Sequence, residues 1–378
     1  MAGRSLDGWA PSPSHDHYEP TMNPHTSLSA SAASAPDARP GRTPWSFGAL
    51  LRRPETGSFI GLVAVFVFFS IFGGATFLSA GGAASWLNIA AELGIIALPI
   101  GLLMIAGQLD LSIGSVIPAS SMTVAIVSGH FGLPMPVGMA AALGLGLAVG
   151  WLNGYLIVRT DLPSFVVTLA TLFAVAGLTL GLSVIVAGST SVALVSAPIY
   201  KMLFGDFIDG KFEVVLLWWL AAIALVSYIL SYSKYGNWIL ALGGDKVSAR
   251  NAGIPTDKLN IALYMSSGFC AAFVGMCQAI LYNSAQVSAG QSFIFNSIIA
   301  VVIGGVFLTG GYGSVLGIVL GTVTFAIVNQ GIYYTGFDAN WASLIIGVLL
   351  LAAVLLNNTF RTLALAHSKP RTTTKALK

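Results

Sequence analysis

The sequence predicts an all-α polytopic membrane protein with about ten transmembrane helices, some of them broken or re-entrant, and with both termini cytoplasmic. Three observations lead there. Only 8% of the 378 residues are charged and 56% are hydrophobic, whereas a soluble domain carries about 25% charged residues. The stretch from Ser58 to Thr359 holds just 16 charged residues. Six of these (Lys234, Asp245, Lys246, Arg250, Asp257 and Lys258) sit in or beside one polar island, Tyr235–Ile254. Such a chain needs the bilayer as its solvent.

Residues 1–57 form a tail rich in Ser, Pro, Ala and His without periodicity, which predicts disorder. The first apolar segment starts far from the terminus and is long enough to span, so it reads as a helix and not as a signal peptide. Hydropathy then places spans near 58–78, 87–108, 112–129, 135–158, 163–187, 213–232, 259–282, 292–309, 313–333 and 341–359. The membrane-spanning body is thus 58–360, with a charged loop at 233–258 and a basic tail at 361–378. Ten spans put 15 of the 17 Lys and Arg residues on one side and leave Lys201 and Lys211 on the other. Cytoplasmic loops hold the excess of cations, so the termini and the island are expected in the cytoplasm and the loop 188–212 outside.

Gly146, Gly150 and Gly154 recur every four residues, as do Gly313, Gly317 and Gly321. Each set lines one helix face and lets a neighbour approach closely. Both ladders run on to an Asn, which suggests either an internal duplication or packing alone. Trp218, Trp219, Trp341, Tyr333 and Tyr334 fall near span ends, where an interfacial belt accounts for them. Cys270 and Cys277 read as small buried hydrophobes.

No phosphate loop, HExxH or GxSxG occurs. The chain therefore offers no motif of an ATPase, a zinc protease or a serine hydrolase, and no catalytic or metal-binding residues are expected. What remains is polar residues at membrane depth. In GQLDLSIGS (107–115), Asp110 and Ser112 lie at a break between apolar segments. Asp110 reads as a cap of the following helix at an aqueous edge, the favoured reading, or as a solute contact. Glu92 is the other deep carboxylate. In GWLNGYLIVRTDLPSFVVTLATL (150–172), Asn153 and Thr168 bond neighbouring helices or a polar solute. In the island, Leu240 to Arg250 reads as a short helix interrupted at Gly243-Gly244. Its apolar side, Ile239, Leu242 and Val247, is expected to dock in a groove of a cytoplasmic partner.

These motifs together resemble the permease subunits of bacterial ABC importers, in the branch that serves ribose, xylose, galactose and related sugars. The resemblance covers roughly residues 85–360. It is carried by GQLDLSIGS, GWLNGYLIV with LPSFVVTLATL, the island ending SARNAGI, and the VVIGG…GGYGSVLG run at 301–317. It implies a multi-pass inner-membrane subunit that hydrolyses nothing and binds no cofactor itself. ATP and Mg would be used by two cytoplasmic ATPase subunits or one fused tandem ATPase. A periplasmic or lipid-anchored binding protein would deliver solute, and a second permease chain, identical or paralogous, would complete the pore. Nothing points to nucleic acid. The family's coupling helix maps onto Leu242, Gly243, Gly244, Asp245, Lys246, Arg250, Asn251 and Gly253. The family often has Asn and acidic residues where this chain has Asp245, Lys246 and Val247. It often has a Glu and an Asp where this chain has Ile294 and Asn296, which puts Asn296 with Asp110, Ser112, Asn153 and Thr168 among residues of the pathway or its frame. A small neutral sugar is the expected solute. The alternatives are a branched-chain amino acid, a nucleoside or a furanosyl signal in the same class, a proton-coupled secondary transporter using Asp110 or Glu92, or a scaffolding membrane protein.

Overall fold

Helix α1 (Glu55–Phe72) and the one-turn α2 (Gly74–Leu78) lead into α3 (Ala80–Ile105), the most buried helix of the protein. The computed structural model describes residues 55–336 and scattered positions between 338 and 355. The Ser79 hydroxyl caps α3 by accepting from the Gly82 N–H at 3.1 Å, satisfying one of the free donors at a helix start. An irregular link, 106–112, separates α3 from α4 (Ile113–Val124), which ends in a π-helical turn, Ala125–His130. Helix α5 (Met135–Thr160) stops where Asp161 turns left-handed, and α6 (Ser164–Ala187) starts just after Pro163.

Outside the helices, β1 (Ser191–Ala193), the short α7 (Pro198–Phe204), β2 (Phe207–Ile208) and β3 (Phe212–Glu213) fill the long connection to α8 (Val215–Tyr232). The island folds as two helices, α9 (Lys234–Gly244) and α10 (Lys246–Asn251). Then come α11 (Thr256–Tyr282), β4 (Ser284–Gln286), α12 (Ser292–Ile303) and α13 (Val315–Gly331). Strand β4 pairs antiparallel with β1, and β2 with β3. The 27 residues of α11, at about 1.5 Å per residue, separate this hairpin end from the island end by roughly 40 Å.

Helices α3, α4, α11 and α13 form the interior, whereas α1, α6 and α8 leave most of their apolar side chains uncovered. A surface of that kind is stable only against lipid tails or another apolar face. The first glycine ladder works by packing. A Cβ at Gly146 or Gly150 would collide with the Gly268 or Tyr264 carbonyl oxygen of α11, so α5 and α11 meet backbone to backbone. The second ladder packs in the same way, with Gly317 against Gly304 and Gly321 against Ala300.

Among the described residues, eight helices are long and apolar enough to cross a membrane. Two expectations need correction. The span expected at 292–309 is the 12-residue α12, about 18 Å long and too short to cross a hydrocarbon core of about 30 Å. The chain breaks at Gly304-Gly305, where Gly305 has φ of 85°, and runs irregularly to Ser314. Trp219 is not an interfacial residue: it is buried against Gly94 of α3, whose missing side chain makes room for the indole. The tenth expected span, 341–359, and Trp341 lie for the most part outside the described residues.

Candidate functional site

The α3–α4 link carries Gln108, Leu109, Asp110 and Ser112 into the interior. Asp110 is 1% exposed, so it does not cap a helix at an aqueous edge. The residue preceding α4 is Ser112. Asp110 Oδ1 accepts from the Ser112 N–H (2.9 Å) and from the Ser112 hydroxyl (2.6 Å), and Oδ2 accepts from the Ser267 hydroxyl of α11 (2.7 Å). The Ser112 oxygen in turn accepts from Asn153 Nδ2 (2.9 Å), and Asn153 Oδ1 accepts from the Thr171 hydroxyl (2.6 Å). Thr171, Asn153 and Ser112 thus each direct a donor along the chain toward Asp110, while the Thr171 hydroxyl also lies 3.0 Å from the Val167 carbonyl oxygen. Such a chain polarises in one sense, and its members strengthen one another at low dielectric.

The rest of the link is held by side chains too. The Tyr264 hydroxyl reaches the Leu109 carbonyl oxygen (3.1 Å) and Gln108 Oε1 (3.3 Å), and the Leu109 N–H donates to the Ser164 hydroxyl (3.1 Å). Non-helical backbone at membrane depth survives only where protein groups satisfy it in this way. Helices α5, α6 and α11 thus converge on one broken segment. Of the sequence-predicted residues, Asp110, Ser112 and Asn153 are brought together here. Thr168 is buried nearby but bonds the Ser164 carbonyl one turn back on its own helix (2.9 Å). Asn296 lies half-buried on α12, apart from this network. Tyr264, Ser267 and Thr171 were missed, although polar side chains inside apolar spans were the signal.

At the island end, the helix break falls at Gly244 and Asp245. Asp245 caps α10, its Oδ1 accepting from the Ser248 N–H (2.6 Å), which holds its carboxyl below the usual range. The expected docking face is corrected by burial: Ile239 and Leu242 are buried in this chain's own core, and only Val247, 67% exposed, is free to meet something else. Gly243 also faces inward, where a Cβ would collide with the Ile105 carbonyl oxygen. That same carbonyl accepts from the Gly311 N–H at 2.8 Å. Gly310 and Gly107 complete the contact, a Cβ on Gly310 coming within 2.9 Å of Gly107. So α9 is seated on two irregular segments, 106–112 and 304–314. Gly244, Asp245, Arg250, Asn251 and Gly253 remain exposed. Arg250 pairs with Asp257 at 2.6 Å, and the half-exposed Lys246 lies 3.6 Å from Asp161.

A bundle of apolar helices around a hydrogen-bonded break, with the elbow formed by α9 and α10 seated at one end, defines a multi-pass α-helical membrane protein whose polar chemistry is internal. The family described as "Branched-chain amino acid transport system / permease component" matches residues 82–354, and the chain belongs to this family of inner-membrane permease components. It is 33% identical over 281 residues to a probable ABC transporter permease protein of Sinorhizobium fredii, covering 73% of this chain and 82% of the relative. It is 29% identical over 318 residues to the fructose import permease protein of Rhizobium meliloti (82% and 87%). It is also 29% identical over 269 residues to the ribose import permease protein of Escherichia coli (70% and 81%).

Proposed function

We propose that this chain is the membrane-spanning subunit of an ATP-driven importer of a small neutral sugar. The observation that carries the proposal is the seating of α9 on both broken segments. Gly243 touches Ile105, one residue before the link that holds Asp110, and the turn at Gly310-Gly311 closes the contact. Rigid elements that meet without intervening side chains move together, so a displacement of the elbow shifts the link and the turn. The exposed stretch Gly244–Gly253 is then the surface on which a cytoplasmic ATPase acts. The energy source lies in that partner, which uses ATP and Mg, since no phosphate loop occurs in this chain.

The fructose and ribose import permeases among its relatives support a monosaccharide as solute. So does the sparseness of ionisable groups in the spans, because a charged solute calls for a counter-charge. A second permease chain covers exposed apolar faces of the kind α6 presents, a binding protein delivers the solute on the hairpin side, and the elbow and termini face the cytoplasm. The test is uptake of radiolabelled D-ribose and D-fructose by cells expressing the chain with its ATPase and binding protein. ATP-dependent accumulation of either sugar supports the reading. Accumulation of leucine with neither sugar would move the solute to an amino acid.

A further inference from the structure

We infer that a polar cavity at the hairpin end of α11 is a solute subsite, in which Gln278 reads sugar hydroxyls and Glu92 positions Gln278. This rests on the sugar-import reading above. The cavity has a volume of about 270 Å³ and is lined by Ser121, Gln278, Tyr282, Ser284 and Gln286, with the backbone at Ala289 and Gly290. Ligand pockets run to about 300–1,000 Å³ for drug-sized molecules, so a monosaccharide suits this smaller space.

Its chemistry is neutral. Hydroxyls and carboxamides both donate and accept, as sugar hydroxyls do, and the Tyr282 ring offers an apolar face for sugar C–H groups. No charged side chain lines the wall. Two carboxylates, Glu92 and Glu213, stand near it, and Glu92 bonds to its wall directly. Gln278 is 9% exposed, and its Nε2 donates to Glu92 Oε2 at 2.9 Å. That bond fixes the plane of the amide at the cavity wall and leaves its carbonyl oxygen and second N–H for a guest. The opposite wall is built for close approach: Gly290, at φ of 110°, brings the chain after β4 against Ile117 and Pro118 of α4. The pairing of β4 with β1 holds Ser284 and Gln286 at the mouth.

The test compares uptake of radiolabelled D-fructose, D-ribose, D-xylose and D-galactose by cells expressing the full transporter, with membrane levels of each variant measured by immunoblot. Gln278→Ala and Ser121→Ala are expected to change the ratios among the sugars by on the order of fivefold or more, because a site that bonds particular hydroxyls discriminates by them. Glu92→Gln retains an acceptor for Gln278 and keeps the wild-type ratios, whereas Glu92→Ala shifts them. Arg250→Glu, far from the cavity, lowers all sugars alike. If the cavity variants lower every sugar in equal proportion, or none, the subsite is wrong while sugar import stands. If the wild type accumulates no sugar, the import reading fails and takes the subsite with it.

Discussion

Gly311 donates its backbone N–H to the Ile105 carbonyl oxygen at 2.8 Å, and Gly243 packs against the same carbonyl with no room for a side chain. Three segments far apart in sequence meet at this point: the end of α3, the elbow and the turn before α13. A substitution at Gly243 therefore separates these elements, whereas a Cβ on its neighbour Gly244 would meet open space. Gly243→Val is expected to lower sugar uptake about tenfold, from overpacking of about 1–3 kcal/mol, while the partner ATPase continues to hydrolyse ATP. Gly244→Ala leaves uptake within about twofold, since exposed substitutions fall within about 0.5 kcal/mol. Paired uptake and hydrolysis assays check both.

Arg250→Glu should uncouple transport from hydrolysis while the chain stays folded and inserted. The Arg250–Asp257 pair is exposed, and such pairs contribute about 0–1 kcal/mol, so stability hardly changes. The double variant Arg250→Glu, Asp257→Arg restores a local pair. It is expected to remain uncoupled if, as proposed, Arg250 acts on the partner. Recovery of uptake in the double variant would reduce Arg250 to a local strut.

The Asp110 network makes a stability prediction. Asp110→Ala strands the Ser112 and Ser267 donors in a buried site, each at a cost of about 1–3 kcal/mol. Asp110→Asn keeps one acceptor and should lose roughly half as much. Unfolding in detergent is readily followed by thiol labelling, because Cys277 is buried in the native chain. Equal midpoints for wild type and Asp110→Ala would contradict the network.

A pH dependence follows from Glu213, which precedes α8 outside the spans. Burial pushes its carboxyl up to about 7, whereas an unfolded chain releases that proton near about 4.3. Between these values the folded state binds more protons. Stability therefore falls as pH rises from about 4.3 to about 7 and is flat above. Glu213→Gln removes this contribution. Thermal midpoints at pH 5 and pH 8 should differ less in that variant than in the wild type.

Much of the fold was legible because hydropathy reports spans directly. The two ladders announced close helix packing, which the contacts of Gly146 and Gly150 with α11 bear out. The α12 helix read as a full span because its apolar run continues through Val306 to Leu308, and hydropathy does not register the break at Gly304-Gly305. The elbow was visible as a charge anomaly, but Leu242 and Gly243 read as partner-facing. Nothing periodic marks the approach of Gly243 to Ile105 and Gly311, which lie in distant segments. The polar network was half legible: Asp110, Ser112 and Asn153 stood out in motifs, while Ser267 and Tyr264 lay within what read as a plain apolar span. Gln278 was missed for the same reason, although a buried carboxamide within a span is itself a signal.

The central claim is that this chain carries a sugar across the membrane only when an ATPase drives its elbow. Proteoliposomes holding the chain with its ATPase and binding protein, supplied with labelled D-fructose or D-ribose, test it directly. The account predicts accumulation that requires ATP and falls about tenfold in Gly243→Val while hydrolysis persists. Accumulation by the purified chain alone under an imposed proton gradient, with no ATPase present, would contradict it.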